Sequence, residues 1–194
     1  MKLFGALAAV AVIAAASPAM AQTSDVTGTV NMTGSVGTRC IVLPNAGNTF
    51  GTTVAFGELA QADGTLRTDL ASAFGTIGGA GLEARVVCTT PNPTISVDAT
   101  PLATTATADA GYDNSIDFLA HVFVDTTTTA DVEFTNDSSA AAGAAVPIGG
   151  RLANNGGNNI SITADNFRTD TVNDLLVASP TYTGQIQVVI SPGA

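Results

Sequence analysis

Along residues 26–36, VTGTVNMTGSV, every even position is apolar or glycine (Val26, Gly28, Val30, Met32, Gly34, Val36) and every odd one is Thr, Asn or Ser. An unbroken period of two predicts a strand with one buried face. The same alternation returns in GLEARVVCTT, through Leu82, Ala84, Val86 and Cys88, and in IDFLAHVFVD, through Phe118, Ala120, Val122 and Val124. It closes the chain in TYTGQIQVVIS. TRCIVLP, TTVAFGEL, PTISVDA, ADVEFT, VPIGGRLA and NISITA are further strand candidates. Only TDLASAF and NDLLVAS hint at helix, and neither exceeds two turns. Short strands separated by Gly-, Asn- and Asp-rich turns predict an all-β chain folded as a sandwich or barrel. SSAAAGAA from 138 and ANNGGNN from 153 read as surface loops, and no internal repeat is present.

A regular strand so near a terminus needs an explanation, since termini are usually loose. The stretch before it, MKLFGALAAVAVIAAASPAMA, has a single Lys2, an apolar run from Leu3 to Ala16, and a small-x-small site at Ala19-Met20-Ala21. This is the pattern of a secretory signal peptide over residues 1–21, the alternative being an uncleaved N-terminal anchor. No later run approaches the roughly 18 to 20 apolar residues a membrane span needs, so no membrane insertion is expected after cleavage. The exported chain would begin at Gln22 and form one domain.

Charge and cysteine content sharpen the picture. The whole chain carries a formal charge of −10, and losing Lys2 with the leader makes it one unit more negative. Nucleic acid and anionic lipid are therefore poor partners. The two cysteines, Cys40 and Cys88, each lie in a strand candidate of an exported chain, and one intramolecular disulfide is the simple reading. A redox pair would want a C-x-x-C spacing, which is absent.

Searches for catalytic chemistry find little. His121, the only histidine, sits in the strand-like FLAHVFV and reads as a satisfied, partly buried side chain. With no second His there is no zinc ligand set, and G-x-S-x-G, H-E-x-x-H and phosphate-binding glycine loops are missing. Asp109, Asp113 and Asp117 recur every four residues and read as solvated turn charges, a loop calcium site being the alternative. Paired acids for glycoside hydrolysis are not excluded by counting, but the absence of Trp and the presence of only two Tyr argue against a sugar-stacking cleft. No cofactor, no metal and no enzymatic activity are expected.

The two ends of the chain together resemble a subunit of a chaperone-usher pilus. The resemblance is carried by GTVNMTGSVGTRCIV, VAFGEL, RVVCTTP and the terminal Tyr-Thr-Gly followed by Ile186, Val188 and Ile190. The cysteine spacing and the FG also resemble the spore coat U-like branch, which includes archaic pilins. The resemblance implies an immunoglobulin-like β-sandwich over residues 37–194 that lacks its last strand, completed by the arm of residues 22–36 from a neighbouring subunit. Val26, Gly28, Val30 and Met32 would form the donated strand. Tyr182, Gly184, Ile186, Val188 and Ile190 would border the groove and pair with a periplasmic chaperone before polymerisation, an outer-membrane usher delivering the subunit to a surface fimbrium that serves adhesion or biofilm formation. Ser191-Pro192-Gly193-Ala194 runs past the strand end where many pilins stop. The competing expectation is a self-complete secreted or surface β-sandwich that serves as a binding module, in which residues 26–36 are simply the first strand, a secreted hydrolase being the weaker alternative.

Overall fold

The computed structural model describes residues 27–43 and 50–193. They belong to two units, one ending at Ser35 and one beginning at Val36. The leader expected over residues 1–21, and Val26, lie outside the described residues. In the first unit, residues 27–35 adopt no regular secondary structure, and Val30 and Met32 are 84% and 91% exposed.

The second unit is all-β apart from one short helix. Its strands are β1 (Cys40–Leu43), β2 (Glu83–Cys88), β3 (Thr94–Ala103), β4 (Tyr112–Asp113), β5 (Ser115–Val124), β6 (Val132–Asp137), β7 (Val146–Pro147), β8 (Ile160–Arg168), β9 (Leu175–Leu176) and β10 (Thr183–Ser191). Helix α1 (Leu70–Gly78) and a 3₁₀ turn (Gly79–Leu82) connect β1 to β2. The hydrogen-bonded order is β1-β2-β8-β5-β3-β10, with β6 on β5 and β7 on β3. All these pairings are antiparallel, and the separate β4–β9 pair is parallel.

β5 is where the path turns from one layer to the other. Its first residues, Ser115 and Ile116, pair with the end of β3, while Leu119–Val124 lie between β8 and β6. The result is a sandwich-like arrangement of β1-β2-β8-β5-β6 against β3-β10. Alternating side chains of both layers meet in one core: Ala84 and Val86 of β2, Ile95 and Val97 of β3, Phe118 to Val124 of β5, Ile160 and Ile162 of β8. Small residues occupy its middle, where Ala120 faces Ala164 across the β5–β8 ladder. Large aromatic side chains gather toward the β5–β3 corner.

Cys40 faces Cys88 directly across the β1–β2 ladder, and the two are joined in a disulfide with Cα atoms 4.1 Å apart. The short edge strand β1 is thereby tied to its neighbour. TDLASAF does form a helix: Leu70 and Phe74, four apart and so on one side, are both buried, and α1 packs against β8. It ends where Gly78 lies so close to Leu82 that a Cβ there would come within 2.5 Å of the leucine side chain.

Three expectations fail for identifiable reasons. TTVAFGEL takes no regular strand, because no described strand lies beside residues 51–59 to complete a ladder. VPIGGRLA shrinks to the two residues of β7, where Pro147 has no amide hydrogen and Gly149, at φ 88°, turns the chain away. NDLLVAS contributes the two-residue β9 in place of helix.

The disulfide closes a loop between residues 48 apart in sequence. Replacing both cysteines by alanine is expected to lower unfolding free energy by about 4 kcal/mol, the loss that chain-entropy reasoning gives for such a loop. Urea denaturation of the two proteins measures it.

Candidate functional site

A cleft of about 870 Å³ lies beside β10. One side is β10 itself, which is hydrogen-bonded to β3 along one edge and has no strand on the other among the described residues. Its residues Ile186, Val188 and Ile190 turn toward the core and remain half-buried. The opposite side is the extended segment 50–56, whose Phe50, Val54 and Phe56 also pack against the core. Between them lies an apolar floor of Phe74, Leu82, Leu102, Phe118, Ile162 and Phe167.

The floor is aromatic because β8 changes face. Ile160, Ile162 and Ala164 point inward at alternate positions, which would send Phe167 outward. Asn166 sits at φ 51°, however, and β8 has one more residue than β5 between the pairs Asp117–Arg168 and Leu119–Asp165. This bulge turns Phe167 inward, where it stacks on Phe118 at 5.5 Å and meets Phe56 edge-on at 5.7 Å. Phe56 in turn lies 6.3 Å from Phe74 of α1.

The sequence placed Tyr182, Gly184, Ile186, Val188 and Ile190 on one groove-bordering strand, and the first four line the cleft. Ile190 packs against the core just beyond it. Tyr182 donates its hydroxyl to the Val177 carbonyl at 2.7 Å, which closes the turn entering β10. Gly184 lies where the β10–β3 register shifts, and a Cβ there would come within 2.9 Å of three backbone atoms of residues 100–102. Only glycine lets β3 bulge this close. Of the arm residues, Gly28, Val30 and Met32 are exposed in the first unit, and Val26 is not among the described residues. Sequence reasoning missed Phe50, Phe74 and Phe167 as cleft residues; the one local signal for Phe167 was the preceding asparagine, a residue type that tolerates positive φ.

The carboxylates singled out as turn charges need correction. Asp109 is exposed, but Asp113 and Asp117 are each only 6% exposed. Asp113 accepts the amide hydrogens of Ser115 at 2.9 Å and Asp170 at 2.6 Å, so both its oxygens organise backbone. Asp117 accepts the Ser138 hydroxyl at 3.2 Å, and burial raises its pKa against the lowering effect of that bond. Among the described residues no group of three or more His, Cys, Asp or Glu side chains is arranged to hold a metal ion.

His121 lies on the outer face of β5, with its ring between Glu133 of β6 at 2.5 Å and Asp165 of β8 at 3.1 Å. Both nitrogens are thus taken by acids on neighbouring strands, and the ring links three strands. Partial burial opposes its charged form, but the bonds to Glu133 and Asp165 outweigh that and raise its pKa above 6.5. The clasp therefore adds stability fully below about pH 6.5 and loses it as pH rises through the higher folded value. A His121→Gln variant should melt well below the parent at about pH 5.5, with the gap narrowing toward about pH 8.5. Thermal melts across that range read it directly.

Among the described residues no helix is long and apolar enough to cross a membrane. Comparison of the chain with family models, with curated proteins and with solved structures finds no match.

Proposed function

We propose that this chain is a structural subunit of a surface fibre of the chaperone-usher type, polymerising when the N-terminal arm of one copy enters the cleft beside β10 of the next. The observation that carries the reading is the presence of two complementary features in one chain. An apolar cleft lies along a strand edge that has no partner strand among the described residues, and an alternating arm exposes Val30 and Met32. An inserted strand would hydrogen-bond to β10 and bury its apolar face on the aromatic floor.

The strand order supports the immunoglobulin-like reading of the sandwich. In that fold strands A, B, E and D form one sheet and C, F and G the other. Matching chain order to position, β1, β2, β8 and β5 take the places of A, B, E and D, while β3 and β10 take those of C and F. The place of G, beside β10, is the cleft. Tyr182 fits the same scheme, since immunoglobulin-like domains commonly bind a tyrosine hydroxyl near the start of F to backbone a few residues upstream.

Burying Val26, Val30 and Met32 at about 1.5 to 3 kcal/mol each would stabilise a joint by roughly 5 to 9 kcal/mol before ordering costs. Before polymerisation the β10 edge would aggregate if left bare, which is the role assigned to a periplasmic chaperone, with an outer-membrane usher receiving the subunit. The partners are thus copies of this chain or related subunits, the destination is the cell surface, and no catalytic role is assigned.

Protein sheared from the surface of cells that express the chain, run in SDS without heating, should give a ladder of multimers that collapses to one band on heating. Val30→Asp places a charge in the apolar cleft of the neighbour and should abolish the ladder, while the monomer, in which residue 30 is exposed, keeps its melting temperature. A single band in both lanes for the unaltered chain would overturn the reading.

A further inference from the structure

The cleft has one firm side and one that is less securely built. β10 is held by a full ladder to β3, whereas residues 50–58 have no ladder among the described residues. Their apolar side chains face an empty apolar space, and burial of that surface would draw the segment onto β10 and close the gap. An inserted strand needs room of about 4.8 Å on each side, so such a collapse excludes it.

One side chain opposes the collapse. Arg67 donates through Nη1 to the carbonyls of Glu58 at 2.7 Å and Phe56 at 3.3 Å. Its Nε and Nη2 grip both oxygens of Asp69, immediately before α1, at 2.9 and 2.8 Å. The fork of one guanidinium thus fixes the free segment to the helix entrance. Its own backbone is anchored too: Arg67 donates its amide hydrogen to Leu59, closing a small hairpin in which Ala60 bridges Leu66. Thr65 of that hairpin bridges Leu175 of β9, and Leu176 donates to the Gly64 carbonyl at 3.0 Å. The anchorage therefore runs from the β4–β9 pair through the hairpin and Arg67 to Phe56, whose ring then reaches Phe167 and Phe74.

We infer that Arg67 is a positioning residue for assembly: by holding the carbonyls of Phe56 and Glu58 it keeps the 50–58 side of the cleft apart from β10 and receptive to the arm of a second copy. The inference rests on the reading of the cleft as the acceptor of that arm. A charged fork is suited to this because it takes two carbonyls on one side and a carboxylate on the other, which the single ammonium of lysine does not reproduce.

The test uses the full chain at dilution and a fluorescent synthetic peptide of residues 22–36, with uptake followed by polarisation at a temperature where circular dichroism shows every variant folded. Arg67→Ala is expected to take up the peptide roughly tenfold more slowly than the parent, the equivalent of losing a charge-assisted hydrogen bond, and Arg67→Lys to fall between them. Asn159→Ala, which loses buried hydrogen bonds to Val86 and Ala153 and does not line the cleft, is expected to lower the melting temperature and leave uptake unchanged. Uptake by both Arg67 variants at the parent rate would overturn the inference and leave the acceptor reading standing. If the parent itself takes up no peptide, the acceptor reading falls and the inference falls with it. Should Arg67→Ala not fold, the comparison of Arg67→Lys with Asn159→Ala decides the matter alone.

Discussion

Backbone amides and carbonyls along a strand come in two rows, and each row needs a partner or water. In β10 one row is satisfied by β3 and the other has no strand beside it among the described residues. The side chains of Ile186, Val188 and Ile190 nonetheless turn inward as if the sheet continued, so the core is covered on the β3 side and open on the other. Phe74 from the helix and Phe167 from the bulged end of β8 line that opening.

The remainder of the sandwich is arranged to tolerate such an opening. Its centre is packed with alanine and valine on β2, β3, β5 and β8, where the layers meet closely and the long ladders run. His121 ties β6, β5 and β8 across the outer face, and Arg168 bonds both oxygens of Asp137 at 2.7 and 2.9 Å, which brings that carboxyl down to about 2.

Much of this was legible in the chain itself, because period-two patterns report strands with one buried face. The alternations in β2, β5 and β10 were visible as such, as was the cysteine pair joining two strand candidates. What escaped notice depended on neighbours. TTVAFGEL has the composition of a strand, but strand formation is a property of pairs, and residues 51–59 have no described strand alongside. Asp113 and Asp117 look like turn charges until Asp170 and Ser138 are brought to them by distant segments. Phe167 reads as outward-facing by simple alternation, and only the left-handed backbone of Asn166 reverses it. For the cleft, the strand that borders it was readable from the sequence, whereas its floor was the product of tertiary packing.

The disulfide has a mechanical meaning as well as a thermodynamic one. Residues 36–39 lead straight into Cys40, the first residue of β1, and among the described residues only the hydrogen bonds of Thr89 with Arg39 and with the Gly37 carbonyl precede it. A pull applied to the chain ahead of Cys40 therefore reaches a covalent bond before it reaches the ladder of Ile41, Val42 and Leu43. Tension passes sideways into β2, which is bound to β8 in the interior of the sheet, and the edge strand cannot be peeled away one bond at a time.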